Sequence, residues 1–381
     1  MVSIVGIPRE IKEDEGRVAL APAGAHQLRQ SGHRVLLQSG AGATSGIADD
    51  EFASAGADIV ESAEEIYAQS DIIVKVKEPL SSEYALVRPG QILFTFFHFA
   101  ASRELTEAML RSGASCIAYE TIRDRGGGLP ILTPMSEVAG RMAVFEGSKH
   151  LESPSGGRGV LICGVPGVEP AKVVILGGGI VGLNAAKIAA GVGAQVSIFD
   201  ISHERLRYLD DVLPANVTTL YSNPLVVRKK VWQADLVVGA VLLAGAKAPV
   251  LVTRDDVDRM KDRSVVVDVA VDQGGCIETC RPTTHSDPTY IEEGVLHYCV
   301  ANMPGAVART STFALTNVTL PYLEVLAGDG LGGFLRHGPH VAEGLNVYAG
   351  RVYHEGVASA FGMPLASTST LLEAAGSALG G

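Results

Sequence analysis

The feature that most constrains this chain is residues 172–200, KVVILGGGIVGLNAAKIAAGVGAQVSIFD. Four apolar residues suited to a β-strand, 173–176, lead directly into the glycine turn GGGIVG of residues 177–182, and a helical pattern of small residues follows. A second apolar strand, 196–199, ends in the acidic residue Asp200. This order of strand, glycine turn, helix, strand and acid is that of a dinucleotide-binding βαβ unit. The sequence therefore predicts an α/β domain built on a parallel sheet.

Each residue of the turn has a physical role. Gly177 permits the tight turn, Gly179 lets the backbone approach a pyrophosphate, and Gly182 lets the helix pack closely on the strand. The helix N-terminus adds unpaired N–H groups and a partial positive charge. Asp200 is predicted to accept hydrogen bonds from ribose hydroxyls and to repel a 2′-phosphate, which favours NAD, although Arg205 and Arg207 nearby leave NADP open. The alternative is a glycine turn that binds nothing.

Composition limits the possible classes of protein. A chain of 381 residues is too long for one ordinary core and suits two domains. With 47% hydrophobic and 19% charged residues it is predicted to be globular rather than disordered. A net charge of −11 argues against nucleic acid or an anionic membrane as the partner.

The five cysteines are scattered and odd in number, so a disulfide framework is not expected. Cys276 and Cys280 form a C-x3-C pair without a second pair, which argues against a zinc site, and we expect no metal. The N-terminus lacks a basic-then-apolar signal segment, and the longest apolar run, residues 236–246, is too short to span a bilayer. The expected location is the cytoplasm.

Short apolar runs alternate with helical patterns through most of the chain, which predicts mostly parallel sheets covered by helices. The predicted strands are residues 4–7, 35–38, 58–60, 72–76, 92–97, 115–119, 173–176, 196–199, 217–221, 235–242, 264–271 and 297–301. The predicted helices are residues 23–31, 50–55, 63–68, 103–112, 133–148, 183–190, 254–260 and 312–327.

The helix at 133–148 is interpreted as the first crossing between domains. Because the second sheet is complete by Pro304, the later helical segment is predicted to return to the first domain, and residues beyond 328 are predicted to be helical with glycine breaks. The predicted domains are a discontinuous substrate domain, residues 1–130 and 305–381, and a dinucleotide-binding domain, residues 131–304.

Three polar residues of the first domain follow predicted strands or lie in the loop after one, where ligands bind in parallel sheets. Arg17 could hold a carboxylate in bidentate fashion, or form a surface ion pair with Glu13 or Glu15. Lys77 could bind substrate, but alternation with Lys75 also fits a solvated edge. His98 could be a general acid or base, or a satisfied core residue within the aromatic run around it.

Polar residues also end two predicted strands of the second domain. Asp268 and Asp272 share one face of a strand by their spacing, and Asp272 lies nearer the carboxyl end, which makes it the better functional candidate. Asn302 ends the next strand. For Asp272 and Asn302 the alternative is a helix cap or turn residue.

Several sequence blocks make the whole chain resemble the alanine dehydrogenase family. They are GIPREIKEDEGRVALAPAG at 6–24, KVKEP at 75–79, MSEVAGR at 135–141, GVPGVEPA at 164–171, VDQGGCIETCRPTTHSDPTY at 271–290 and HYCVANMPGAVARTST at 297–312. Several such blocks in order are more specific than the glycine turn alone.

The resemblance implies two Rossmann-like domains with parallel sheets, cofactor and substrate in the cleft between them, and a homohexamer. It implies the NAD-dependent conversion of L-alanine to pyruvate and ammonium, with Arg17 and Lys77 binding substrate and His98 and Asp272 catalytic. The residues it implies for NAD binding are Ser136, Gly177, Gly179, Gly182, Asp200, Arg205, Ser222, Val241, Leu242, Val269, Asn302 and Met303. Alternatives are reductive amination of another small keto acid such as glyoxylate, and an NAD(H)-binding component of the transhydrogenase type.

Overall fold

The computed structural model describes residues 2–241, 248–271, 274–368 and 371. The chain divides into two compact units, one formed by residues 1–135 with 307–381 and the other by residues 136–306. The assignment of substrate binding to the first unit and of dinucleotide binding to the second stays a prediction.

The first unit begins with six strands and four helices in alternation. The strands are β1 Ile4–Ile7, β2 Arg34–Gln38, β3 Asp58–Val60, β4 Ile72–Lys77, β5 Ile92–Phe96 and β6 Ser115–Ala118. The helices are α1 Pro22–Gln30, α2 Asp49–Ser54, α3 Ala63–Gln69 and α4 Arg103–Ser112. Ser62 and Ser102 cap α3 and α4 by accepting a backbone N–H three residues on.

The second unit repeats the alternation. Helix α5, Thr133–His150, begins in the first unit and continues into the second. The strands are β7 Lys172–Leu176, β8 Gln195–Asp200, β9 Val217–Tyr221, β10 Leu236–Gly239, β11 Val265–Asp268, β12 Thr289–Glu292 and β13 Val295–Tyr298. The helices are α6 Ile180–Gly191, α7 His203–Val212, α8 Pro224–Val231 and α9 Arg254–Asp258.

The rest of the described chain adds helices and strands to the first unit. They are α10 Ala308–Arg336, α11 Pro339–Ala342, β14 Leu345–Tyr348, β15 Arg351–Val352 and α12 Glu355–Phe361. Helix α10 extends beyond the predicted end at residue 327 and is interrupted at Gly330, whose φ of 65° is not helical. The purely helical prediction beyond residue 328 is therefore wrong, since β14 and β15 lie there.

Each unit contains one sheet dominated by parallel pairs. In the described chain the first sheet has the order β15-β14-β6-β5-β4-β1-β2-β3, and the second has β12-β13-β11-β10-β7-β8-β9. The predicted α/β class is confirmed, with one correction at the edges. Strands β14 and β15 in the first sheet, and β12 in the second, pair antiparallel. Because the main strands are parallel, their carboxyl ends lie along one edge of each sheet.

Both faces of the first sheet are buried. On β4, Val74 and Val76 face one hydrophobic cluster, which includes Leu315 of α10, while Ile73 faces another. Such burial on both faces explains why its central strands read as continuous apolar runs. No helix in the described part of the chain is long and apolar enough to cross a membrane.

Three predicted strands of the second unit differ from the observed ones by more than one residue at an end. The strand predicted at 264–271 ends at Asp268, because that carboxylate turns the chain by accepting hydrogen bonds from the N–H groups that follow. The strand predicted at 297–301 is β13, Val295–Tyr298. The strand predicted at 235–242 is β10, Leu236–Gly239, and Leu242, its predicted last residue, lies outside the described residues.

Candidate functional site

The carboxyl edge of the first sheet gathers the polar residues predicted for the substrate. Strands β5, β4 and β1 are neighbours in this sheet. Lys77 is the last residue of β4, His98 follows β5 by two residues, and Arg17 lies in the segment between β1 and α1. The parallel topology thus brings residues from three distant parts of the sequence to one edge.

Arg17 is buried, with 2% of its surface exposed. Its Nε donates to Glu15 Oε1 at 2.6 Å, its Nη2 donates to Glu15 Oε2, and its Nη1 lies 3.0 Å from the sulfur of Met135. The alternative of an ion pair with Glu15 is therefore correct as a contact, but the pair is buried rather than at the surface. Burial alone would raise the pKa of Glu15, yet Arg17 outweighs burial and holds this pKa below its ordinary value.

Lys75 differs from Lys77 in its surroundings. It is 1% exposed, and its Nζ lies 3.3 Å from Glu10 Oε2 and 3.1 Å from Glu83 Oε1. Tyr67 Oη donates to Glu83 at 3.1 Å. Burial would lower the pKa of Lys75, but the two carboxylates raise it above its ordinary value. The solvated-edge interpretation is thus wrong for Lys75, which lies inside a buried charge cluster.

Lys77 is half-buried at a point where the pairing of β4 with β5 shifts register between Val74 and Lys77. Burial lowers the pKa of Lys77, and the nearby charges of Arg17 and Lys12 lower it further, while Glu15 acts in the opposite direction. Lys77 therefore loses its proton more readily than an ordinary lysine.

His98 is exposed, so the interpretation as a satisfied core residue is wrong. Its backbone has a φ of 50°, a left-handed conformation that is uncommon outside glycine and clusters at functional sites. Glu120 holds this backbone in place by accepting from the N–H of His98 at 2.6 Å and from that of Phe97 at 3.3 Å. The imidazole stacks on Phe96, with ring centres 5.9 Å apart.

In the second unit the glycine turn follows β7 and begins α6. Gly177 has a φ of 99°, and a Cβ there would lie 2.6 Å from the carbonyl oxygen of Ala240. A Cβ on Gly182 would lie 1.8 Å from the carbonyl oxygen of Gly177, so the helix can approach the turn only with glycine at this position. A Cβ on Gly179 would meet no atom within 4 Å, which leaves open space at the helix N-terminus.

Asp200 and Arg205 both bond to this turn. Asp200 Oδ2 accepts from the N–H of Gly178 at 2.9 Å, and Oδ1 accepts from that of Ser202 at 2.8 Å. Arg205 donates to the carbonyl oxygens of Gly178 at 2.5 Å and of Gly179 at 3.2 Å. A carboxylate oxygen accepts more than one hydrogen bond, so these contacts are compatible with a ribose hydroxyl at Asp200.

The remaining predicted cofactor residues that the structure describes lie at or beyond the carboxyl ends of strands in the same sheet, except Ser136, which is in α5. Ser222 follows β9 and donates its N–H to the Asp200 carbonyl at 2.9 Å, and Val241 follows β10. Val269 follows β11 and donates to the Gly239 carbonyl at 2.9 Å. Asn302 and Met303 follow β13, Asn302 with a φ of 63° and Met303 buried. Leu242 and Asp272 lie outside the described residues.

Sequence reasoning ranked Asp268 below Asp272 and gave it no role. Asp268 is fully buried and accepts from the N–H of Ala270 and of Cys276, each at 3.0 Å. It therefore fixes the backbone at residues 270 and 276, beyond the end of β11. Its burial at a strand end, rather than any motif, identifies this role.

Glu120 was also missed as a supporting residue. It carries no sequence signal of its own, since its contacts join residues 22 and 23 positions apart. All five cysteines are free. Within the described ranges, no group of three or more His, Cys, Asp or Glu side chains is arranged to hold a metal ion.

Comparisons with known proteins cover nearly the whole chain. Two family models match, described as alanine dehydrogenase/PNT, N-terminal domain, at residues 6–139, and alanine dehydrogenase/PNT, C-terminal domain, at residues 143–355. An alanine dehydrogenase of Methanococcus maripaludis is 53% identical over 95% of this chain and 97% of its own length.

Two solved structures are also similar. An L-alanine dehydrogenase structure has a TM-score of 0.92 and 51% identity, covering 94% of this chain and 99% of that chain. A transhydrogenase from Sinorhizobium meliloti has a TM-score of 0.80 and 26% identity, covering 92% of this chain and 99% of that chain. The similarity in sequence is thus about twice as great to the first structure as to the second.

Proposed function

We infer the details of the function from one premise: the chain belongs to the alanine dehydrogenase/PNT family. It is an oxidoreductase that interconverts L-alanine with pyruvate and ammonium, using a nicotinamide cofactor. The observation that best supports this reaction is that two cations, Arg17 and Lys77, lie at the carboxyl edge of one sheet, because two such cations bind the carboxylate of a substrate well.

We propose NAD as the cofactor of the second unit. The residues present fit a dinucleotide, because the position of Gly179 opens onto free space at the N-terminus of α6, where a pyrophosphate can be bound. Asp200 supports NAD over NADP, since a carboxylate repels a 2′-phosphate. When bound, the nicotinamide accepts or donates the hydride.

For the substrate, we propose that Arg17 and Lys77 bind the carboxylate and that Lys77 polarises the carbonyl that develops during oxidation. Both roles need the cationic form of Lys77. His98 is proposed to move the protons at its exposed imidazole, held by Glu120 through the backbone. Asp272 is proposed, from the family resemblance, to stabilise the cationic intermediates.

We also propose that the protein is a cytoplasmic homohexamer with no nucleic-acid or membrane partner. The free cysteines support a reducing compartment. The hexamer rests on the family resemblance, and light scattering coupled to size-exclusion chromatography would test it.

A set of parallel assays tests this function. The protein is mixed with NADH, ammonium and pyruvate, and loss of reduced cofactor is followed by absorbance, with parallel reactions containing glyoxylate or NADPH. We expect the fastest oxidation with pyruvate and NADH. Absence of oxidation with pyruvate and ammonium would contradict the proposal, and faster oxidation with glyoxylate would favour a different keto acid. Activity only with a second nucleotide as hydride acceptor would favour the transhydrogenase alternative.

A further inference from the structure

We propose that Glu15 is a positioning residue of this reaction: it fixes the orientation of Arg17 and supplies the negative charge that balances this cation beside Lys77. Its carboxylate is not predicted to touch the substrate or the cofactor. The proposal rests on the function proposed above, because it takes Arg17 and Lys77 as the groups that bind the substrate carboxylate.

The first step of the argument is the geometry of the buried pair. Glu15 Oε1 accepts from both the backbone N–H of Arg17 at 3.1 Å and its Nε at 2.6 Å, while Oε2 accepts from Nη2. The Glu15 side chain has no exposed surface and that of Arg17 has 2%. Two side-chain bonds define the plane of the guanidinium, and its Nε edge faces Glu15. A substrate carboxylate must therefore meet Arg17 at another edge, in an orientation that Glu15 determines.

The second step concerns charge. The charged groups that act on Lys77 are the cations Arg17 and Lys12 and the carboxylates Glu15 and Glu78. Lys12 forms an ion pair with Glu78, and Arg17 forms one with Glu15, so each cation near Lys77 is balanced by a carboxylate. Without the charge of Glu15, the buried cation Arg17 would act on the half-buried Lys77 unbalanced, and like charges favour loss of a proton from Lys77.

Glu15 itself remains ionised over the working pH range, because Arg17 holds its pKa below the ordinary value of a glutamate. Its negative charge is thus a fixed part of the site. The sign of the effect follows: removing this charge lowers the pKa of Lys77 further, so its cationic form is lost at a lower pH.

Three variants separate the charge of Glu15 from its geometry. Glu15→Gln removes the charge and keeps one acceptor oxygen, whereas Glu15→Asp keeps the charge but shortens the side chain by one methylene. Glu13→Gln is the matched control, since Glu13 is exposed on the same segment and undergoes the same chemical change.

For each variant, the binding of pyruvate to the enzyme–NADH complex is measured from pH 6 to pH 10 by NADH fluorescence. Ammonium is omitted, so its own titration does not contribute. The KM for pyruvate and kcat are then measured at one pH. Circular dichroism and the Kd for NADH report on folding.

We expect Glu15→Gln to weaken pyruvate binding about tenfold or more and to move the loss of binding at high pH down by about one pH unit. Glu15→Asp should weaken pyruvate binding, but the pH at which this binding is lost at the alkaline end should stay as in the wild type. Both variants should raise KM more than they lower kcat and keep the wild-type Kd for NADH. Glu13→Gln should match the wild type throughout.

The proposal is overturned if Glu15→Gln matches Glu13→Gln both in pyruvate affinity and in the alkaline pH at which pyruvate binding is lost. It is also overturned if Glu15→Asp shifts that pH as far as Glu15→Gln does. If Glu15→Gln does not fold, Glu15→Asp decides, and wild-type pyruvate affinity in that variant overturns the positioning role. Arg17→Lys distinguishes a failure of the proposed function, because unchanged pyruvate affinity there would remove Arg17 itself from the substrate site.

Discussion

Each unit has its own mainly parallel sheet with candidate site residues at the carboxyl edge, and the two edges are built in opposite ways. In the first unit the edge is organised by buried charges, as in the ion pair of Glu15 with Arg17 and the cluster around Lys75. In the second unit the edge is organised by glycines, which have no side chain: Gly182 lets α6 approach the turn, and Gly179 leaves the helix N-terminus open.

The difference follows from what each edge is proposed to recognise. A small amino or keto acid offers little surface, so charged side chains in defined orientations must select it. A dinucleotide offers a pyrophosphate that backbone N–H groups can bind, so close approach of the backbone matters more than any side chain. A substitution that changes a side chain's charge should therefore impair the first edge, and a substitution that increases a side chain's volume should impair dinucleotide binding at the second.

The largest expected effect is in the charge cluster of the first unit. Replacing Lys75 by Met leaves the carboxylates of Glu10 and Glu83 buried beside each other without their cation, so the free energy of unfolding should fall by about 3–5 kcal/mol. Denaturant unfolding followed by circular dichroism measures this change. Arg34→Ala, which breaks the exposed ion pair with Asp58, is the control and should cost less than about 1 kcal/mol. Equal losses in the two variants would contradict the view that buried charge organises this unit.

The next effect separates chemistry from cofactor binding. Replacing His98 by Ala removes the proposed acid and base of the first unit, so turnover with pyruvate, ammonium and NADH should fall by about 10²-fold or more. The Kd for NADH, measured by fluorescence, should stay unchanged because the glycine turn belongs to the other unit. Near-normal turnover in this variant would remove His98 from its proposed role.

The smallest effect tests the role of volume in the second unit. In Gly182→Ala the new methyl group would lie 1.8 Å from a backbone oxygen, so α6 must move, with an expected cost of about 1–3 kcal/mol. NADH affinity should fall with it. Gly191→Ala is the matched control, because Gly191 ends the same helix and a Cβ there would meet no atom within 4 Å.

Gly179→Ala sharpens this test further. A methyl group fits the open space at this position, so thermal stability should be retained, while the approach of a pyrophosphate should be hindered and NADH affinity reduced. If Gly182→Ala kept both wild-type stability and wild-type NADH affinity, the close approach of helix and turn would not be what this glycine provides.

Much of the fold was predictable because local patterns decide it. The observed bounds of β1, β3, β9 and α4 are those predicted, since each is a short run with clear turn or cap residues at its ends. Strands β14 and β15 were missed because β14 pairs with β6, more than 220 residues earlier, and no local pattern indicates such a partner. The same limit applies to Glu120, whose bonds to the backbone of Phe97 and His98 exist only once β5 and β6 are neighbours.

The sequence by itself determined the α/β class and the glycine turn, because spacing along the chain is enough to place glycines and strands, and its sequence blocks were enough to indicate the family. It also placed Arg17, Lys77 and His98 near one sheet edge. Only the tertiary structure decided that Lys75 is enclosed by two carboxylates, that Arg17 is paired with Glu15 away from solvent, and that His98 is exposed. The physical reason is that burial and charge pairing depend on residues brought together by packing, and alternation along one strand does not specify what will lie opposite it.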